Sequence, residues 1–192
     1  MHRFFLTLAR AMALAGGAML LLLILMTCVS ILGRELNEIL QADGLRSSAI
    51  GRWLLDELGV GAIDGDFELL EAGMAFTIFA FLPLTQITLG HASVDVFADR
   101  LPPAWNRWFA VVIEVVFAAV LILIAWQLFL GMLSKLNSGQ TTMRLEFPVW
   151  WSYLLAVPPA FQAATTAIWC AWARLVEART GRIILTEAEG GH

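Results

Sequence analysis

Residues 11–32 read "AMALAGGAMLLLLILMTCVSIL". No Asp, Glu, Lys, Arg or His interrupts the run, and it is long enough to cross a bilayer, which takes about 20 apolar residues. Arg3 and Arg10 precede it, so a secretory signal is the competing reading. A signal's apolar region is only about 7–15 residues long and ends at a small-residue cleavage site. Here the run exits into "GRELNEIL" (33–40) with no A-x-A pattern. The stretch therefore reads as a retained first transmembrane helix, and the rest of the chain is organised around that.

The chain of 192 residues is 59% hydrophobic and 15% charged, with a mean hydropathy of +0.76. A soluble domain is typically about 45–50% apolar and about 25% charged. Three further apolar stretches, 69–90, 109–133 and 149–173, match the first in length. The expected fold is an all-α integral membrane protein with four transmembrane helices plus short interfacial amphipathic helices. The expected plan is an N-terminus at 1–10, helices at 11–32, 69–90, 109–133 and 149–173, and connections at 33–68, 91–108 and 134–148. A tail at 174–192 completes it. A net charge of −4 offers nothing to nucleic acid.

Four spans put both termini on one side. Arg3, Arg10, Arg100, Arg107, Arg174, Arg179 and Arg182 fall there, against Arg34, Arg46, Arg52, Lys135 and Arg144 on the other. The positive-inside rule weighs Lys and Arg near span ends and largely ignores acids. It predicts cytoplasmic termini and an acidic loop at 33–68 on the outer side. On this topology Cys28 and Cys170 differ in depth by roughly 20 Å at 1.5 Å per helical residue, too far for a disulfide. Both are expected to be free.

The long loop contains "SSAIGRWLLDELG" (47–59). Ile50, Trp53, Leu54 and Leu58 recur at helical spacing, while Arg52, Asp56 and Glu57 take the other face. This predicts a short helix lying in the interface, apolar side down. Trp105, Trp108, Trp150, Trp151, Tyr153 and Trp172 fall at span ends, where aromatic rings favour the headgroup level. Pro158 and Pro159 fall inside the fourth span and are expected to kink or unwind it. Gln162, Thr165 and Thr166 are near enough in sequence to serve the carbonyls so released. Gln127 and Gln162 are expected to hydrogen-bond between helices.

Residues 89–97, "LGHASVDVF", end the second apolar run. His91, Asp95 and Asp99 follow at four-residue spacing, one stripe of a helix. A metal site lacks a fourth ligand nearby, so the stripe reads as the wet or partner-facing side of an amphipathic segment that ends at Pro102-Pro103. Glu114 lies about one and a half turns into the third span, and Gln86 about one turn from the end of the second. Glu114, Gln86 and His91 are thus expected at similar depth. Glu71 sits at the opposite mouth of the second span.

Intramembrane hydrolysis requires a nucleophile with its base, or metal ligands meeting in one cavity. There is no H-E-x-x-H, no G-x-S-x-G and no His within a span, so catalysis, a cofactor and a metal are not expected. Transporters built on their own generally have repeated halves and midplane ion ligands. A standalone four-span protein such as an oligomeric exporter is the alternative, but such exporters depend on a carboxylate in the first span, and this span has none. An accessory or scaffold subunit remains.

"GDFELLEAGMAFTIFAFLPLTQITLGHASVDVF" (65–97), followed by "LPP", resembles the small permease (Q-type, DctQ-like) subunit of tripartite ATP-independent periplasmic (TRAP) transporters. The resemblance rests on the acidic start Asp66, Glu68 and Glu71, the Gly90-His91 turn and the Val94-Asp95 pair. "GQTTMRLEFPVWWSYLLAVPP" (139–159) resembles the same family's segment entering its last span. The resemblance implies a large M-type membrane subunit that carries the substrate and sodium sites and works by an elevator-type motion. It also implies a periplasmic substrate-binding protein that delivers an organic acid. This chain would then be a scaffold, bedded in membrane lipids, with no small-molecule substrate of its own. Glu68, Glu71, Gln86, His91, Asp95, Glu114, Trp150 and Trp151 would be partner-subunit or helix-end contacts, and Asp56 and Glu57 would be contacts to the binding protein.

Overall fold

The computed structural model describes residues 2–42, 61–88 and 103–180. Four α-helices account for nearly all of them: α1 (His2–Ala42), α2 (Asp66–Ile87), α3 (Pro103–Ser138) and α4 (Trp150–Thr180). Each is long and apolar enough to cross a membrane, and among the described residues the only β-type pairing is a single bridge between Thr141 and Pro148. The protein is an all-α, multi-pass membrane protein. The interfacial segments expected around 50–58 and 91–101 lie outside the described residues.

The helices exceed the apolar runs that announce them. The 41 residues of α1 extend about 60 Å at 1.5 Å per residue, roughly twice the hydrocarbon thickness. The excess at its far end carries Arg34, Glu35, Asn37, Glu38 and Gln41, with the Gln41 amide donating to the Asn37 side chain. A helix satisfies its own backbone in lipid and in water alike, so polarity alone does not stop it. For the same reason α4 runs on through Arg174 to Thr180.

The helices stand in an open row in the spatial order α1, α2, α4, α3. Helix α1 packs on α2, α2 on α4, and α4 on α3, while α1 meets α4 only slightly. We call the end where α1 begins and α4 finishes the base, and the opposite end the top. Helices α2 and α4 both run from top to base, so they are parallel neighbours.

Each seam has its own sequence logic. Where α3 faces α4, Val111, Glu114, Ala118, Leu121 and Ala125 are buried, at alternating spacings of three and four. Opposite them Ala156, Ala160, Ala163, Ala167 and Cys170 repeat with the same alternation. That is the a/d period of a left-handed helix pair. Alanine knobs let the backbones approach, which matters because lipid supplies no hydrophobic drive between helices and van der Waals contact must do the joining. Phe79 and Leu82 of α2 close this cluster from the other side. At the base a second cluster joins Ala9, Ile87, Cys170 and Ala173, and Phe5 of α1 stacks on Trp169 at 5.5 Å.

The α1–α2 seam depends on Gly16. A Cβ there would lie 2.8 Å from the Cβ of Ala80, so any side chain would push the two helices apart. The neighbouring Gly17 faces open space. Helix α4 continues through Pro158 and Pro159 without an interruption, so the pair does not unwind it. Pro83, buried within α2, is a third interior proline.

Candidate functional site

Two sets of polar contacts organise the molecule, one at each end. At the top, Ser30 of α1 is fully buried. Its hydroxyl donates to Asp66 Oδ2 at 2.5 Å and accepts the Ile63 N–H at 3.2 Å. Asp66 opens α2, where its carboxylate meets the unpaired N–H groups and positive pole of the helix, and its Oδ1 accepts the Phe67 N–H at 2.8 Å. The Arg34 guanidinium stands 3.6 Å from Asp66 Oδ2. One serine in the apolar run thus ties the far end of α1 to the first residue of α2.

Two residues on, Glu68 clasps the connection between α3 and α4. Its two oxygens accept the backbone N–H groups of Arg144 at 2.8 Å and Leu145 at 3.0 Å. The connection is held in shape by its own bonds, Thr142 N–H to the Phe147 carbonyl at 2.8 Å and Val149 N–H to the Gln140 carbonyl at 3.0 Å. Gly65 caps α2 in the left-handed region, φ 74°, and the Leu145 side chain occupies the space that a Cβ at Gly65 would need. Glu68 and Gly65 therefore hold the same residue, one by its amide and one by its side chain. An exposed ion pair of Arg144 with Asp64, 3.3 Å, adds little in high dielectric.

Between the top of α1 and this clasp lies a cleft of about 460 Å³, lined among others by Arg34, Ile63, Asp66, Phe67, Met143 and Arg144. Met143, at the tip of the connection, is 98% exposed. The arrangement offers guanidinium, carboxylate and apolar surface side by side, which suits docking rather than bond-making.

At the base, Gln86 donates from Nε2 to Glu114 Oε2 at 2.6 Å, and both side chains are buried. The Gln86 carbonyl accepts the Cys170 thiol at 3.6 Å. Arg174 is close enough to Glu114 to act on it electrostatically, and its guanidinium pairs with Glu177 at 3.1 Å. Gln86 and Glu177 each make a further interaction as well. This layer connects α2, α3 and α4 with charge-assisted contacts in a region where an unmade one would be costly.

The other sequence-predicted residues distribute as follows. Trp150 and Trp151 lie against each other at 5.5 Å, with Phe147 5.8 Å from Trp151. Glu71 is exposed on α2. His91, Asp95, Asp56 and Glu57 lie outside the described residues, so the expected meeting of His91 with Gln86 and Glu114 is defined only for the last two. Cys28 and Cys170 are both free. Among the described residues no three His, Cys, Asp or Glu side chains are grouped to hold a metal.

Three expectations need correction, the first being the bonds expected of Gln162 and Thr166, whose Nε2 and Oγ1 find no partner among the described residues. Gln127 is exposed on α3 because it lies off the 111–125 stripe that faces α4. The Thr165 hydroxyl donates to the Gln162 carbonyl at 2.9 Å, so it does not serve the carbonyls released by the proline pair. Sequence reasoning missed Ser30 altogether, and Arg34 and Arg144 as its neighbours at the top. A lone serine in an apolar run carries no pattern, although a polar residue about half a turn from a span end facing an Asp-led helix start is a usable signal. Sequence reasoning also passed over the alanine repeat of α4, whose period of about 3.5 is a usable signal.

The family model described as tripartite ATP-independent periplasmic transporters, DctQ component, matches residues 23–180. No curated protein and no solved structure matches the chain. The matched stretch runs from the middle of α1 through the Ser30–Asp66 tie, the Glu68 clasp and the Gln86–Glu114 layer to the last residue of α4. A chain matched over all four helices, with the contacts that order them, belongs to the DctQ family, the small membrane component of TRAP transporters.

Proposed function

We propose that the chain is the scaffold subunit of a sodium-driven, binding-protein-dependent TRAP transporter for an organic acid, supporting a large elevator-type permease subunit. The observation that carries this reading is the open row. Half of the apolar window of α4 is buried within the chain, against 17% of that of α1, 22% of that of α2 and 28% of that of α3, so three of the four helices leave most of their apolar surface uncovered. Leu14, Leu21, Leu22 and Leu25 of α1 and Val112, Val116, Leu123 and Trp126 of α3 remain exposed. Helix edges of this kind suit packing against a larger membrane protein and its lipids.

In this reading the chain performs no catalysis and binds no transported molecule. Exposed Glu71 and Trp151 and half-buried Trp150 are proposed contacts to the large subunit, as are His91 and Asp95. Glu68, Gln86 and Glu114 act as helix-end contacts that set the row's shape. The top, with Asp56 and Glu57 of the long loop, is the proposed face for the periplasmic binding protein. The Lys and Arg distribution supports placing the base in the cytoplasm, and membership of the TRAP family supports an inner-membrane location.

The test is co-expression with the large membrane subunit and purification in mild detergent. A stable one-to-one complex is expected. Failure of the two to co-purify from the same membranes, with each alone well folded, would contradict the scaffold role.

A further inference from the structure

We propose a buried water site between α2 and α4, held by Gln162 and Thr166 of α4 and facing the Phe79 carbonyl of α2. Thr166 is 0% exposed and Gln162 9%. Neither Gln162 Nε2 nor Thr166 Oγ1 has a hydrogen-bond partner in the protein. Buried side-chain donors are nearly always satisfied, by protein or by ordered water. In the middle of a bilayer the bulk solvent that would otherwise serve them is absent.

The two groups share a face. They are four residues apart on α4 and so neighbours on its surface, continuing a stripe through Cys170 and Arg174 at the same interval. That face meets α2, because the Cys170 thiol donates to the Gln86 carbonyl. Since α2 and α4 run in the same direction, this bond also sets their register. Gln162 and Thr166 lie about 12 and 6 Å above Cys170 at 1.5 Å per residue.

On α2, Phe79 lies about 10 Å above Gln86 by the same rise, and its side chain packs against the cluster formed between α3 and α4. Its carbonyl points toward the base, which places the oxygen between the levels of Gln162 and Thr166. Pro83, four residues on and inside the helix, has no N–H to give to that carbonyl. Two donors without acceptors on α4 thus face an acceptor deprived of its helical donor on α2. A water with two to four polar partners is stable in such a place.

The experiment uses the full chain in lipid nanodiscs and has two readouts. The first is a structure at a resolution that shows ordered water. The second is a double-mutant cycle with Gln162→Met and Thr166→Val, read as melting temperature. One density peak within hydrogen-bond reach of both side chains is expected. The double variant should melt where the worse single variant does, because either substitution already loses the shared water. Thr166→Ser, which keeps the hydroxyl, should retain both the peak and the wild-type melting temperature. Additive shifts in the cycle overturn the proposal. So does a dry site in which Gln162 and Thr166 bond directly to protein, even if the two substitutions are coupled.

Discussion

Gln86 on α2 donates to Glu114 on α3 at 2.6 Å, joining two helices that otherwise meet through α4 between them. Both side chains are buried, Glu114 to 7% exposure. The bond closes the row at its base, where backbone packing between α2 and α3 is sparse. Removing the donor leaves a buried carboxylate short of one partner, which costs about 1–3 kcal/mol. Gln86→Leu should therefore lower the melting temperature in detergent clearly, whereas Glu114→Gln, which keeps an acceptor oxygen for the Gln86 amide, should lower it much less. Equal losses from the two would mean that the bond does not hold the base together.

The paired glycines of α1 should behave oppositely. Gly16→Ala places a Cβ 2.8 Å from Ala80, and overpacking of this kind typically costs about 1–3 kcal/mol. Gly17→Ala meets nothing within 4 Å and removes a poor helix former, a gain of up to about 1 kcal/mol. Thermal melting of the two variants side by side checks the α1–α2 seam.

Glu68 is the acceptor for two backbone amides of the α3–α4 connection. Glu68→Ala should speed hydrogen exchange at Arg144 and Leu145 and leave exchange in the alanine seam of α4 unchanged. Uniform loss of protection across the chain would place Glu68 in global stability instead of in the clasp.

Cys28 is exposed and Cys170 buried. In the folded chain a small membrane-permeant maleimide should modify lipid-facing Cys28 faster than Cys170, and the two rates should converge only after denaturation. Rapid modification of Cys170 under native conditions would contradict the packing of α4 between α2 and α3.

Much of this was legible in the sequence, for identifiable reasons. Spans announce themselves because lipid demands unbroken apolar length, and "AMALAGGAMLLLLILMTCVSIL" needs little else. Equal depth sufficed to bring Gln86 to Glu114. The order of the row was not legible: nothing in a hydropathy profile says that α2 and α4 are parallel neighbours, because that depends on which small-residue stripes find each other. The Gln127 expectation failed because it counted polarity and ignored angle; the 111–125 period places that residue away from α4. Ser30 was missed because its partner Asp66 is thirty-six residues away, across a connection whose path the sequence does not give.

The scaffold reading is tested most directly by reconstituting uptake in liposomes. The large membrane subunit and the periplasmic binding protein are supplied with a sodium gradient, with and without this chain, and the chain is also tried by itself. Sodium-dependent uptake of the organic acid is expected only when all three proteins are present, and none from this chain alone. Uptake driven by this chain alone would contradict the scaffold reading.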